Sequence, residues 1–327
     1  MKLGSLKNPD RPDGDLVVVG KDNRTAVRAG HIAPSLREAV ERWRETQPEL
    51  NALYQGLNRG EADGSFAVDE TAFHSPLPRS FGWLDGSAFI QHVKLVRQAR
   101  NAPMPEGLHT DPLMYQGGSD SFLAPRDDIP MIDESQGVDF EGEVAVITDR
   151  VPMGVQPEQA GKHILLLVLV NDVSLRGLIP AELMKGFGFL VSKPSSAFSP
   201  FAVTPDELGD SWRDGRVHLP LEVTYNGQFY GNADAGQMHF SFPRLIAHAA
   251  QTRSLCAGTL LGSGTVSNED TARGSSCLAE KRMLEKIATG EFKTPFMKAG
   301  DTVRIEMKDA KGHNIFGTIH QKVVKVP

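Results

Sequence analysis

The sequence has few cysteines, no long apolar run and no signal-like N-terminus. Its two cysteines, Cys256 and Cys277, cannot form a disulfide framework, and neither shows the CxxC spacing of zinc or redox sites. The longest apolar run, residues 164–170, is too short to span a bilayer, and the segment MKLGSLKNPDRPDG contains no apolar signal region. We therefore expect a cytoplasmic protein that is neither secreted nor inserted into a membrane.

A long basic stretch is also missing. The formal charge is −6, from 41 acidic and 35 basic residues, so no cluster of cations attracts a phosphate backbone and nucleic acid is not an expected partner. The composition is that of a soluble globular protein, with 40% apolar residues, 32 glycines and 21 prolines. These values favour a β-rich fold with many turns.

The chain divides near residue 75. Two short strands, 16–19 and 25–28, precede an amphipathic helix that begins at about Ser35, and the following stretch 56–80 is polar and rich in glycine and proline. This pattern predicts a small N-terminal domain over residues 1–75 and a larger domain over residues 76–327.

The larger domain reads mainly as strands. A helix is predicted over 89–100, whereas alternating or apolar runs predict strands over 138–147, 164–170 and 198–204. Asn226-Gly227 predicts a hairpin over 219–230, and strands over 302–307 and 315–326 are expected to pair. Because few helices separate these strands, we expect a mixed α/β, β-rich fold whose sheets are largely antiparallel.

Acidic residues alternate along one predicted strand. The segment VDFEGEV places Asp139, Glu141 and Glu143 on one strand face, which is either a solvated face or part of a cation site. Asp172 follows the buried run 164–170, where it either caps a helix or supplies a further carboxylate to the same site. Carboxylates alone are ligands for hard cations such as Mg²⁺ or Ca²⁺, and the lack of His or Cys argues against zinc.

Four segments in order, VDFEGEVAVI, LVNDVSLR, LVSKPSSAFSPF and GTLLGSGTVSN, resemble the fumarylacetoacetate hydrolase superfamily over residues 78–326. The likeness is greatest to bacterial two-domain fumarylacetoacetase-like proteins. It implies a β-roll-like catalytic domain with a small N-terminal α/β domain, commonly in a homodimer. It also implies Mg²⁺, with Ca²⁺ or Mn²⁺ as alternatives, held by Glu141, Glu143 and Asp172.

The same resemblance assigns roles to residues outside this acidic strand. Asp85 matches a further metal ligand, and His92, seven residues later, matches a base that acts on water together with a glutamate. That glutamate is Glu280, with Glu285 as the alternative, although each would otherwise be a solvated helix residue. A basic region that ends at Arg97 and Arg100 follows His92.

Four further residues are predicted to contact the substrate. Lys193 matches a family residue that binds substrate oxygens beside the metal, and Tyr115 matches a substrate contact. Arg176 and Thr265 are candidates to bind distal carboxylates of the substrate. Without the resemblance, Lys193 is a surface lysine, Tyr115 a loop aromatic and Thr265 part of a tight turn. Residues 177–183 depart from the glutamine and tyrosine contacts of eukaryotic fumarylacetoacetases, so the pocket wall there differs.

The resemblance implies hydrolysis of a carbon–carbon bond in a small β-diketo acid, such as fumarylacetoacetate in aromatic amino-acid catabolism. Related branches instead hydrolyse acylpyruvates or fumarylpyruvate, decarboxylate 2-oxo acids or hydrate 2-oxo-4-enoates. His92 and Glu280 favour hydrolysis among these activities. A protein that retains the fold and binds cations or carboxylates without catalysis is the third alternative.

Overall fold

The computed structural model describes residues 1–99, 103–104 and 106–327, and Arg100 of the predicted basic region lies outside them. The fold is mixed α/β and rich in strands, as predicted. In chain order the strands are β1 (Lys2–Leu6), β2 (Asp15–Val19), β3 (Thr25–Arg28), β4 (Phe66–Ala67), β5 (Phe73–His74), β6 (Trp83–Gly86), β7 (Met114–Gly117), β8 (Ile129–Met131), β9 (Val138–Asp139), β10 (Gly142–Thr148), β11 (Ile164–Asn171), β12 (Ser174–Leu175), β13 (Ala197–Phe198), β14 (Phe201–Val203), β15 (Trp212–Arg213), β16 (Arg216–Val217), β17 (Pro220–Tyr225), β18 (Gln228–Asp234), β19 (Leu260–Gly262), β20 (Thr302–Met307) and β21 (Ile319–Lys325).

Helices are short and lie between these strands. They are α1 (Leu36–Glu41), α2 (Trp43–Asn58), α3 (Ile90–Ala99), α4 (Pro157–Ala160), α5 (Ile179–Lys185), α6 (Phe242–Ala249) and α7 (Leu278–Thr289). The predicted cap of α1 is present, because the Ser35 side chain accepts a hydrogen bond from the backbone N–H of Glu38. None of the described helices combines the length and the apolar character needed to cross a membrane.

The largest sheet joins both parts of the chain. Its strand order is β4-β3-β2-β1-β14-β11-β10-β19-β6-β7, with β13 on β11 and β5 on β1. Strand β1 pairs with β14 from Lys2 opposite Val203 to Gly4 opposite Phe201, so the N-terminal strands extend the sheet of the larger domain. The pairing is antiparallel except between β19 and β6.

Strands β10 and β11 form the buried centre of this sheet. Alternate residues point to opposite sides: Val144 and Leu167 pack into one apolar cluster, and Ala145 and Val168 into another. The second cluster includes residues of α1 and α2, so the N-terminal helices cover one face of the sheet. A sheet covered on both faces explains why residues 164–170 are apolar throughout.

A second sheet has the order β18-β17-β20-β21-β8. The predicted hairpin within it is confirmed, because Asn226 and Gly227 have φ angles of 49° and 74° and join β17 to β18 in a two-residue turn. The predicted pairing of the C-terminal strands is also confirmed, although β21 begins at Ile319 and not at residue 315.

Two predicted strands are interrupted. The strand over 138–147 divides into β9 and β10, because the backbone N–H of Glu141 donates to Oδ1 of Asn171 (3.2 Å) and its carbonyl accepts from the N–H of Asp172 (3.0 Å). The strand over 198–204 divides into β13 and β14 at Ser199-Pro200, since proline has no N–H to donate to a ladder.

Candidate active site

Three carboxylates meet near the ends of neighbouring strands. Asp85 lies on β6, Glu143 on β10, and Asp172 immediately after β11, and these strands belong to one sheet. Each side chain offers an oxygen atom, and the three atoms lie within 4.8 Å of one another. All three residues are buried, with at most 4% of their surface exposed. We call Asp85, Glu143 and Asp172 the acidic cluster.

The acidic cluster carries more negative charge than its surroundings compensate. Both carboxylate oxygens of Glu143 are buried, and no residue in the described part of the chain donates a hydrogen bond to them. Burial, followed by the charges of Asp85 and Asp172, raises the pKa of Glu143 well above its ordinary value. Burial and the charge of Asp172 likewise raise the pKa of Asp85 to about 8. A buried, all-oxygen cluster of this kind fits a hard divalent cation.

Lys193 connects the acidic cluster to Glu141. Its Nζ donates hydrogen bonds to Oε2 of Glu141 (2.5 Å) and Oδ2 of Asp172 (2.6 Å). Burial lowers the pKa of Lys193, but the charges of Asp172 and Glu141 outweigh burial and hold it above the ordinary value, so the ammonium is charged. Asp172 also accepts hydrogen bonds from the hydroxyls of Tyr115 and Ser196, each at 2.6 Å.

Arg176 holds the other side of Glu141. Its Nη2 donates to Oε1 of Glu141 (2.6 Å) and its Nε donates to Oδ2 of Asp139 (2.9 Å). Asp139 in turn accepts the backbone N–H groups of Leu278 and Ala279 at the N-terminus of α7. Burial opposes the ionisation of Glu141, yet Arg176 and Lys193 together hold the pKa of this carboxyl well below its ordinary value.

His92 and Glu280 face each other from two helices. Nδ1 of His92, on α3, lies 3.0 Å from Oε2 of Glu280, on α7. The side chain of Glu280 is 3% exposed and that of His92 is 16% exposed, so only the imidazole reaches solvent. The alternative partner Glu285 does not contact His92, because its carboxylate accepts hydrogen bonds from Lys293 and Thr294.

Several of these groups line one cavity of about 570 Å³. Its lining includes Asp85, Glu141 and Glu143 at the buried end, together with His92, Lys193 and Arg176. Apolar side chains form much of the remaining wall, which is typical of a pocket for a small organic ligand: Phe89, Val93, Val96, Ile179, Phe189 and Met283.

Comparison with known families identifies the chain. Residues 82–324 match the family model described as fumarylacetoacetate (FAA) hydrolase C-terminal, and residues 1–79 match the model described as fumarylacetoacetase N-terminal domain 2. The chain belongs to the fumarylacetoacetate hydrolase family. This result confirms the resemblance on which the site residues were predicted.

Individual relatives within this family are named for different reactions. Mitochondrial oxaloacetate tautomerase fahd2 of Xenopus laevis is 27% identical over 215 residues, which cover 64% of this chain and 58% of the frog protein. The 2,4-didehydro-3-deoxy-L-rhamnonate hydrolase of Sphingomonas sp. is 27% identical over 229 residues, 68% of this chain and 67% of that protein. The fumarylacetoacetate hydrolase structure from Exiguobacterium antarcticum has a TM-score of 0.67 over the whole of both chains at 16% identity, which shows a shared fold.

Most residues predicted from the sequence lie in or beside the cavity of this family member. Glu141 is the exception among the four predicted metal ligands, because its two carboxylate oxygens are bound by Arg176 and Lys193 and it is not one of the acidic cluster. Tyr115 and Thr265 line the cavity, and Tyr115 also supports Asp172.

Two supporting side chains, Ser196 and Asp139, were not predicted from the sequence. Ser196 lies within the quoted segment LVSKPSSAFSPF, but only its contact with Asp172 distinguishes it from the neighbouring serine. Asp139 was recognised as acidic, whereas its binding to α7 depends on a helix that begins 139 residues further along the chain. The sequence shows that Asp139 is acidic, but it does not show that this carboxylate binds the backbone N–H groups at the start of α7.

Proposed function

We propose that this protein hydrolyses a carbon–carbon bond in a β-diketo acid with the help of a bound divalent cation. One observation carries the proposal: His92, which is paired with Glu280, lines the same cavity as Asp85 and Glu143 of the acidic cluster. A base for water thus lies beside a site for a cation, which is the combination that hydrolysis requires.

The acidic cluster would hold the cation through Asp85, Glu143 and Asp172, with Mg²⁺ as the proposed ion and Ca²⁺ or Mn²⁺ as alternatives. When bound, the cation supplies Lewis-acid polarisation of the substrate carbonyl. The two uncompensated oxygens of Glu143 support this assignment, because a buried carboxylate without a donor is costly unless a cation neutralises it.

His92 acts as the general base in this proposal. Glu280 accepts a hydrogen bond from Nδ1–H, which leaves Nε2 without a proton and able to take one from water. The water oxygen forms a bond to the substrate carbonyl carbon as Nε2 takes the proton. Glu280 is buried and stabilises the imidazolium that results.

Lys193 acts in the second half of the reaction. The bond between the attacked carbon and its neighbour breaks, and the electron pair moves onto the oxygen of the departing enolate. Two of the three N–H donors of Lys193 bind Glu141 and Asp172, and the third is available to that oxygen in the cavity. A proton returned by His92 to the enolate carbon completes the reaction, which yields a carboxylic acid and a ketone.

Fumarylacetoacetate is the substrate we propose, with fumarate and acetoacetate as products, in aromatic amino-acid catabolism. Acylpyruvates and fumarylpyruvate offer the same diketo group and are alternatives within the same chemistry.

A second candidate reaction is keto–enol tautomerisation of a 2-oxo acid, because the frog relative is named an oxaloacetate tautomerase. In that reaction His92 would move a proton between carbon and oxygen without breaking a carbon–carbon bond.

One substrate panel tests the proposal. Purified protein with Mg²⁺ is incubated with fumarylacetoacetate, fumarylpyruvate, acetylpyruvate and oxaloacetate, and the products are identified. We expect a diketo acid to be cleaved into two acids. Tautomerisation of oxaloacetate with no cleavage of any diketo acid would favour the second candidate, and no reaction at all would favour a binding protein.

The homodimer and the cytoplasmic location remain predictions from the sequence. Light scattering after size-exclusion chromatography tests the first, since a dimer has twice the chain mass of 35.6 kDa.

A further inference from the structure

Two helices, α3 and α7, each line the cavity with the residues of one helix face, which we call a stripe. On α7 the lining residues Ala279, Arg282, Met283 and Lys286 follow the spacing i, i+3, i+4, i+7 of a single helix face. The same spacing occurs in α3 and in the residue before it, where the cavity is lined by Phe89, His92, Val93, Val96 and Arg97. Each stripe therefore begins beside the reacting groups and ends at a cation.

The cationic ends of the two stripes lie together. The helices run in the same direction, because His92 meets Glu280 near their starts and Leu95 packs on Met283 one turn later. From Ala279 to Lys286 the stripe on α7 extends about 10 Å along the helix axis. Arg97 and Lys286 thus lie at the same end of the cavity, away from Asp139 and the start of α7. Arg282 lies one turn before Lys286, and both of these side chains contact the ring of Phe292. We call Arg97, Arg282 and Lys286 the basic end.

The basic end has no carboxylate partner of its own. Within residues 1–99, 103–104 and 106–327, none of Arg97, Arg282 and Lys286 makes an ion pair, and Glu134, which also lines the cavity, pairs with none of them. Arg97 donates a hydrogen bond to the carbonyl of Pro103 (3.3 Å) and Arg282 to that of Thr294, and neither acceptor neutralises the positive charge. The charges of these cations are therefore available to an anionic ligand.

Arg282 is held in position by aromatic rings. Its guanidinium lies 4.7 Å from the ring centre of Phe292 and 4.2 Å from that of Phe296, and it donates a hydrogen bond to the carbonyl of Thr294. Nζ of Lys286 lies 5.0 Å from the ring centre of Phe292. These contacts orient the two cations before a ligand arrives, which lowers the entropic cost of binding.

Arg176, by contrast, is committed within the protein. Its guanidinium binds Asp139 and Glu141, and burial leaves only 17% of its side chain exposed. It is therefore a poor candidate for the distal carboxylate contact predicted from the sequence. The basic end offers three cations for that role.

We infer that Arg97, Arg282 and Lys286 recognise a second carboxylate of the substrate, so that the preferred substrates are dicarboxylic keto acids and not monocarboxylic ones. The inference rests on the proposed function for the reacting end and assigns the opposite end. The acidic cluster with its cation binds the keto acid group, the apolar stripes contact the intervening carbons, and the basic end binds the terminal carboxylate.

Matched ligands that cannot be cleaved test this inference. Calorimetry in the presence of Mg²⁺ compares 2-oxoadipate with 2-oxohexanoate, which have six carbons each and differ by the terminal carboxylate. We expect the diacid to bind the wild-type protein about 10- to 100-fold more tightly, as for a charge-assisted contact. Lys286→Gln should remove about tenfold of that preference, with 2-oxohexanoate unaffected, and Arg97→Gln should act in the same direction.

Two control variants accompany Lys286→Gln. Lys286→Arg keeps the charge and should keep the preference, and Lys281→Gln, an exposed residue of α7 that does not line the cavity, should leave it unchanged. Equal binding of the two ligands to the wild-type protein, or equal weakening of both by Lys286→Gln, would overturn the inference.

Turnover of fumarylpyruvate and acetylpyruvate separates this inference from the proposed function. Cleavage of both substrates with equal kcat/KM retains the proposed function and overturns the inference. A diacid preference in calorimetry without cleavage of any diketo acid supports the basic end and overturns the proposed hydrolysis.

Discussion

Nδ1 of His92 lies 3.0 Å from Oε2 of Glu280, although 188 residues separate them along the chain. The contact joins α3 to α7 and leaves the second imidazole nitrogen facing the cavity. The proposed catalysis and the packing of the two helices therefore involve the same pair, so their effects must be measured separately.

His92→Ala should lower turnover of a diketo acid by about 10²- to 10⁴-fold, because it removes the proposed general base. The increase in melting temperature caused by Mg²⁺ should persist, since His92 is not part of the acidic cluster. His163→Ala is the matched control, because His163 forms a similar pair with Asp149 and does not line the cavity. Turnover that survives His92→Ala would rule out this assignment.

Removal and return of the cation should change stability. At a Mg²⁺ concentration 100 times the dissociation constant, the free energy of unfolding should exceed that of the metal-free protein by about 2.7 kcal/mol. In Glu143→Gln, the response to Mg²⁺ should disappear, because the acidic cluster loses one carboxylate. The metal-free variant should unfold at nearly the same temperature as metal-free wild type, because the raised pKa of Glu143 keeps this carboxyl protonated and neutral at pH 7. Thermal unfolding measures both effects, and Glu134→Gln serves as a control at the cavity wall.

Arg176→Gln should lower the free energy of unfolding by about 3–5 kcal/mol, because Asp139 stays buried without its cationic partner and Glu141 keeps only Lys193. Arg304→Gln, which breaks a more exposed pair with Glu306, should cost about 1 kcal/mol or less. Urea denaturation compares the two variants. Unchanged stability combined with a raised KM in Arg176→Gln would instead support the substrate contact predicted from the sequence.

Only one of the two thiols should react in the native protein. Cys256 is exposed, whereas Cys277 is buried, and burial followed by the nearby charge of Asp139 raises the pKa of Cys277 well above its ordinary value. A thiol reagent at pH 8 should therefore modify one group per chain, and two after denaturation. Native Cys256→Ser should give no modification, and rapid labelling of that variant would show that α7 opens readily.

Local signals predicted much of the fold. Ser35 caps α1, and Asn226-Gly227 forms the hairpin turn, because each depends on a few neighbouring residues. The division of the strand over 138–147 was not predictable in this way. It depends on the hydrogen bond that Glu141 donates to Asn171 and on the one that it accepts from the N–H of Asp172, and the pairing of β10 with β11 brings these residues alongside.

The candidate site shows the same division between local and distant causes. The acidic residues and the spacing from Asp85 to His92 were visible in the sequence, because they lie on short segments. The sequence did not show which carboxylates form the acidic cluster and which one binds basic side chains. That difference depends on Lys193 and Arg176, which bind the two carboxylate oxygens of Glu141. Which basic side chain neutralises each carboxylate depends on the folded site, and acidic residues at alternate positions of a strand do not predict it.

The pairing of β1 with β14 has a consequence for any attempt to divide the chain at residue 79. Expression of residues 80–327 alone would leave β14 without its outer neighbour and expose backbone N–H and C=O groups of a long sheet. It would also uncover the apolar face of β11 that α1 and α2 shield. Such a fragment presents the edge and surface on which chains aggregate, so the N-terminal segment acts as a solubility partner built into the protein.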